Sequence, residues 1–167
     1  MFELFLRFSS RNNPRSSFFE LKMKKIISKS KKETQKLAKE LLGNLKEWRL
    51  ILLQGGLGAG KTTFAQGFLE AIGAEGSFTS PTFVVMKRYD LGKSQLKKIK
   101  SVYHFDCYRV GAQDILEMGW EEIVKNKKNL VLVEWPENIE SILPKKHIKL
   151  EFKNTTENER EIKITKN

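Results

Sequence analysis

Two spacings of apolar residues alternate along the chain, and together they predict a mixed set of strands and helices. Lys24-Lys25-Ile26-Ile27-Ser28 reads as a short strand. Behind it, Ser30-Lys31-Lys32-Glu33 fits a capping box, with Ser30 as the N-cap and Glu33 reaching back. The helix that this opens carries Thr34, Leu37, Ala38, Leu41, Leu42 and Leu45 on one face, with Gly43 near its end. Arg49 to Gln54 is an apolar run of strand length, and Thr63 to Ile72 returns to helical spacing. Phe83–Met86 and Ile99–Phe105 read as the two strands of a hairpin, joined by the polar, lysine-rich stretch 90–98. Residues 113–126 are predicted to be helical, and Leu130 to Val133 reads as a buried strand because its apolar run is unbroken. Ile148, Leu150 and Phe152, then Ile162 and Ile164, alternate across the polar turn Asn154–Asn158, the pattern of an antiparallel hairpin. Alternating strands and helices with antiparallel pairs added imply the α/β class, with a mixed parallel and antiparallel sheet flanked by helices.

The junction of the second strand with the second helix carries the chemistry. Gly55-Gly56-Leu57-Gly58-Ala59-Gly60-Lys61-Thr62 matches the phosphate-loop pattern G-x-x-x-x-G-K-[ST] without a mismatch. Glycines let a backbone wrap closely round phosphates with its N–H groups inward. The loop opens a helix, whose free amides and positive dipole end also face an anion. In this pattern Lys61 reaches the β and γ phosphates and the Thr62 hydroxyl ligates Mg²⁺, with Thr63 next along the helix start. The expected ligands are therefore ATP, or a similar triphosphate, and Mg²⁺.

Three later segments bear on what happens to the nucleotide. Ser80-Pro81-Thr82-Phe83 follows the loop helix and offers Thr82 as a switch threonine for Mg²⁺ or the γ-phosphate. Asp106 ends the apolar strand through Tyr103-His104-Phe105, and Glu134 ends Leu130–Val133. Side chains at the carboxyl ends of strands line the ligand crevice of open α/β sheets. A carboxylate there suits the oxygen-seeking Mg²⁺, and a second can orient an attacking water. The candidate catalytic residues are thus Glu134, Asp106 and Lys61. The candidate metal ligands are Thr62, Glu134 and Asp106.

Composition changes this picture little. Forty per cent apolar and 31% charged residues over 167 positions suit one ordinary domain, assigned to 23–167. Residues 1–22 look unlike the rest, being rich in Phe, Arg and Ser, and read as a flexible extension or an over-called translation start before Met23. The net charge of +11 is unevenly placed: residues 1–32 hold nine Lys/Arg against two Asp/Glu, and 33–167 hold 22 against 18. Lysine coding bias and nucleic-acid contact both account for that excess. One cysteine allows no internal disulfide, and no apolar run is of membrane-spanning length, so a cytoplasmic chain without membrane contact is expected.

"GGLGAGKTT", "SPTF", "HFDCYR" and "VEWPE", in this order, resemble the bacterial TsaE (YjeE) family, and the similarity runs from about Ser28 to about Phe152. The resemblance implies a slow Mg²⁺-dependent ATPase of tRNA threonylcarbamoyladenosine synthesis. It further implies partners, TsaB-like and TsaD-like subunits that transfer the threonylcarbamoyl group beside the anticodon, and tRNA proximity through that complex. On matching positions it implies Lys61 and Thr62 for phosphate and Mg²⁺, Thr82 as switch threonine, and Asp106 and Glu134 sharing the metal and water roles. Gly56 departs from the family pattern, where an aspartate is usual, and 1–22 lies outside it.

Other readings share the loop. A small-molecule kinase commonly surrounds its phosphates with lid arginines, yet only Arg88, Arg109 and Arg160 follow the loop here. A GTPase needs N-K-x-D, and Asn126-Lys127-Lys128-Asn129 lacks the aspartate. A nucleotide-gated binding module with incidental hydrolysis stays open. Arg109 suits γ-phosphate charge, a partner contact or a surface ion pair. Trp135 suits the nucleotide, a partner or the core. His104 and Tyr108 read as orienting the Asp106 loop, and Cys107 as a packed side chain.

Overall fold

The computed structural model describes residues 23–45, 48–76, 78, 81, 83–92, 96 and 98–167. The expected extension 1–22 and the switch threonine Thr82, with Ser80 beside it, lie outside the described residues. Seven strands form one sheet: β1 (Met23–Ser28), β2 (Leu50–Gly55), β3 (Met86–Asp90), β4 (Ser101–Asp106), β5 (Asn129–Glu134), β6 (Ile148–Asn154) and β7 (Arg160–Lys166). Their order is β1-β7-β6-β2-β5-β4-β3. The central β6, β2, β5 and β4 run parallel, while β3, β7 and β1 pair antiparallel, which gives the mixed sheet that the spacing predicts.

Helices α1 (Lys31–Leu42) and α2 (Lys61–Ile72) cover one face; α3 (Ala112–Glu117), α4 (Trp120–Lys125) and a 3-10 segment, Pro136–Ile142, cover part of the other. Strand alternation divides the core between them. Ile51, Leu53, Leu130 and Leu132 pack toward α1 and α2, whereas Leu50, Leu52, Val131 and Val133 pack toward α3 and α4. β5 is therefore buried at every position, and a strand covered on both faces reads as an unbroken apolar run. In β6 only Ile148, Leu150 and Phe152 are buried, and Lys149 and Glu151 on the opposite face reach salt-bridge distance of each other.

The capping box forms with one shift. Ser30 Oγ accepts from the Glu33 amide at 3.1 Å, but the Glu33 carboxylate accepts from the Lys29 amide, one residue before the N-cap. Leu37, Ala38, Leu41, Leu42 and Leu45 are buried as predicted. Gly43 keeps right-handed φ rather than a left-handed cap. α1 lies so close to α2 that a Cβ on Gly67 would stand 2.7 Å from Gln35 Cα.

Two predicted elements differ. Phe83–Val85 is a turn rather than a strand, because the Pro81 carbonyl takes the Val84 and Val85 amides and Val85 adopts φ 63°. Phe83 is 90% exposed, and the strand starts only at Met86. The single helix predicted over 113–126 is two, α3 and α4, separated at Gly119, whose φ of 82° no helix interior accommodates. Among the described residues no helix is long and apolar enough to cross a membrane.

Candidate functional site

The glycine loop leaves the carboxyl end of β2 and turns into α2, as the motif requires. Gly55 has φ 149°, and a Cβ there would lie 2.5 Å from the Phe152 carbonyl oxygen on β6, so no other residue fits without moving that strand. Gly56 differs: its Cβ direction is open, with nothing within 4 Å. An aspartate fits there sterically, so glycine at 56 is a choice that the backbone does not impose. Gly60 is the N-cap of α2, in the left-handed region.

Lys61 is 4% exposed. Its Nζ donates to the Gly55 and Gly56 carbonyls at 2.7 and 2.8 Å and stands 3.7 Å over the Trp135 ring. Burial pushes the ammonium below its ordinary value, while the carboxylates of Glu134, Glu137 and Asp106 hold it up. Thr62 Oγ1 donates to Glu134 Oε2 at 2.9 Å, joining the start of α2 to the tip of β5 across 72 residues of sequence. The other oxygen, Glu134 Oε1, lies 2.9 Å from His104 Nε2, both side chains being almost fully buried. Asp106 sits beside Glu134 in the β4–β5 register, and its Oδ1 accepts the Tyr108 amide at 3.1 Å.

These groups face one cleft of about 930 Å³, with Thr62, Asp106 and Glu134 on its walls beside the loop. Of the predicted site residues, Leu57 to Thr63, Asp106 and Glu134 line this cleft, Gly55 and Gly56 stand behind it as acceptors of the Lys61 ammonium, and Thr82 lies outside the described residues. Arg109 lines the cleft and forms no ion pair with any described residue. Cys107 is fully buried, and desolvation first, then Asp106 and Glu137, push its thiol up to about 12. It is a packed side chain. Arg88 pairs with Asp90 on the surface at 2.8 Å, away from the cleft.

Two features were not legible in the sequence. Trp135 takes φ 59°, its amide N–H donating to the Leu53 carbonyl, and its ring lies tilted 4.8 Å from Tyr108, so it lines the cleft while its other side packs against the edge of the core. A bulky residue in that region is strained by about 1–3 kcal/mol and no spacing announces it. His104 fastens Glu134 rather than the Asp106 loop. Spacing within β4 relates His104 only to Asp106, two residues on, because the partner on β5 is set by strand order.

The oxygen set of Thr62, Glu134 and Asp106 suits a hard cation such as Mg²⁺. Among the described residues no three His, Cys, Asp or Glu converge on a metal position. Magnesium needs no such cage, because it takes one or two carboxylates together with substrate phosphates.

A parallel sheet that turns through a glycine loop into a helix, with carboxylates on the two adjacent strand tips, defines a P-loop nucleotide-binding protein. The sequence model of the family described as "Threonylcarbamoyl adenosine biosynthesis protein TsaE" matches residues 28–162, and the chain belongs to that family. The chain is similar to the "tRNA threonylcarbamoyladenosine biosynthesis protein TsaE" of Bacillus subtilis, 35% identical over 133 residues, covering 80% of this chain and 79% of the relative. The protein of the same name from Rickettsia prowazekii is 37% identical over 139 residues, covering 82% and 91%. The crystal structure of Bacillus subtilis YdiB superposes with a TM-score of 0.66 at 32% identity, covering 87% of this chain and 86% of that one.

Proposed function

We propose that the chain is the Mg²⁺-dependent ATPase of tRNA threonylcarbamoyladenosine synthesis, working on a transferase complex of TsaB-like and TsaD-like subunits. Membership of the TsaE family supports the pathway. The observation that carries the catalytic reading is the Thr62–Glu134 hydrogen bond, which puts a strand-end carboxylate against the hydroxyl expected to hold the metal.

The loop amides from Gly55 to Thr63 would cradle the phosphates, and Lys61 would add a point charge to the β and γ groups. Thr62 and Glu134 would hold magnesium, with Thr82 the switch threonine named from the sequence. The metal, when bound, neutralises charge developing on the transferred phosphoryl group. Asp106, one strand over, would share with Glu134 the orientation of the attacking water. Trp135 and Tyr108 line that end of the cleft, and water they displace there would strengthen each electrostatic contact inside.

ATP turnover by the full chain, alone and with the two partner subunits, tests this reading. Lys61→Ala is expected to abolish nucleotide binding. Glu134→Ala is expected to keep binding and lose about a hundredfold or more in turnover, the scale of removing one charge-stabilising group from a site. The partners are expected to raise the wild-type rate. Turnover by Glu134→Ala at the wild-type rate overturns the catalytic assignment, and no rise with partners favours a passive nucleotide gate.

A further inference from the structure

The cleft does not end at the loop. Beyond Gly60 it continues along a wall made by the β1–α1 junction and by the start of β7, where Lys29 and Arg160 stand. We propose that Arg160 is a nucleotide ligand, meeting the α–β phosphate stretch on the nucleoside side of the loop, opposite the Thr62–Glu134 side. This rests on the nucleotide reading given above.

Three observations carry it. First, the Arg160 side chain lies directly on the loop: a Cβ built on Gly60 would be 3.2 Å from Arg160 Cδ and 3.1 Å from Nη1. Second, the guanidinium has no compensating acid. Neighbouring carboxylates are taken by lysines, Glu159 by Lys29 at 3.3 Å and Glu161 by Lys25 at 2.8 Å. Glu157 lines the same wall, yet Arg160 forms no ion pair with any described residue, and its buried Nε has no hydrogen-bond partner among them. Third, the charge sits where a cation is disfavoured. Gly60 caps the positive end of α2, and Lys61 follows it. A half-buried arginine set against a helix N-terminus, without an acid, is placed to complete its fork of donors on an anion from outside the chain.

The position also selects which part of the nucleotide it meets. Glu134 and Thr62 fix the metal and γ-phosphate end. Arg160 abuts the N-cap glycine from the other side, within the phosphate cradle but away from the strand-tip acids. A ligand there serves ADP and ATP alike.

Calorimetric titration of the full chain with MgADP and with MgATP, at two salt concentrations, tests the proposal. Arg160→Ala is expected to weaken both nucleotides by about tenfold or more, the loss of one charged hydrogen-bonding partner, and to flatten the salt dependence. Arg160→Gln keeps the stem packed on Gly60 and is expected to lose as much, so a folding defect in the alanine variant does not shield the idea. Affinities within about twofold of wild type for both nucleotides overturn it, being far below the worth of a charged hydrogen bond. So does a loss confined to MgATP, which would put Arg160 at the γ end. A wild-type chain that binds neither nucleotide sinks the nucleotide reading itself, whereas wild-type binding with an indifferent Arg160 sinks this proposal alone.

Discussion

Glu134 is tied at both oxygens, to Thr62 and to His104, and that double attachment sets its orientation. A carboxylate this deeply buried needs both partners, since leaving one oxygen unsatisfied costs about 1–3 kcal/mol. The dependence separates two substitutions at His104. Glutamine places an amide N–H near the position of Nε2, so His104→Gln is expected to keep turnover within about threefold of wild type. His104→Phe fills the space without a donor and is expected to cost about ten- to a hundredfold in kcat, as loss of orienting partners does at other metal sites. Magnesium dependence of the rate is the companion measurement: a role confined to packing would leave it unchanged in both variants. The loop was legible because phosphate chemistry fixes Gly55, Gly60, Lys61 and Thr62 at set spacing. The left-handed Trp135 was not, because its conformation is imposed by the Leu53 carbonyl from a strand far away in sequence.

The elements followed the apolar spacing wherever burial dictated it. β2, α2, β5 and the β6–β7 hairpin stand as predicted because each presents a face, or two faces, to the core. Phe83–Val85 misled for the opposite reason: Phe83 and Val84 are exposed, only Val85 reaches the edge of the core, and a local proline turn decides the backbone. The break at Gly119 was visible only as a single glycine within an otherwise periodic stretch. The closest approach of two helices in the domain's described residues is that of α1 with α2 at Gly67. Gly67→Ala would ordinarily add about 0.5–1 kcal/mol of helix stability. Here the methyl meets Gln35 Cα and Cβ within 2.8 Å, so α1 must move. A net loss of about 1–2 kcal/mol is expected, because overpacking outweighs propensity. The denaturant midpoint measures it, and since Lys29 to Lys31 at the start of α1 border the cleft, nucleotide affinity should fall in step.

At the scale of the molecule, the sheet is a parallel centre with an antiparallel wing. β6, β2, β5 and β4 bring the loop and both acids to one edge, and β1 and β7 extend the sheet past β6 to form the second wall of the cleft. The class was legible from the alternation of elements, but the strand order was not, because a wing that joins the start of the described chain to its end leaves no local signature. Pairing begins at Met23, opposite Thr165. Removing residues 1–22 is expected to leave the melting temperature within about 2 °C and MgATP affinity within about twofold, if the domain assigned to 23–167 folds by itself. An insoluble product would assign the extension a structural role.

The pairing of β1 with β7 also orders events in time. Among the described strands β1 emerges first in synthesis, yet its hydrogen-bonding neighbour β7 emerges after all the others and must slot between β1 and β6. Arg160 arrives with that closing strand. Until β7 is made, a nascent chain displays its glycine loop with only one wall of the crevice in place, so a full grip on a nucleotide is expected to wait for that strand.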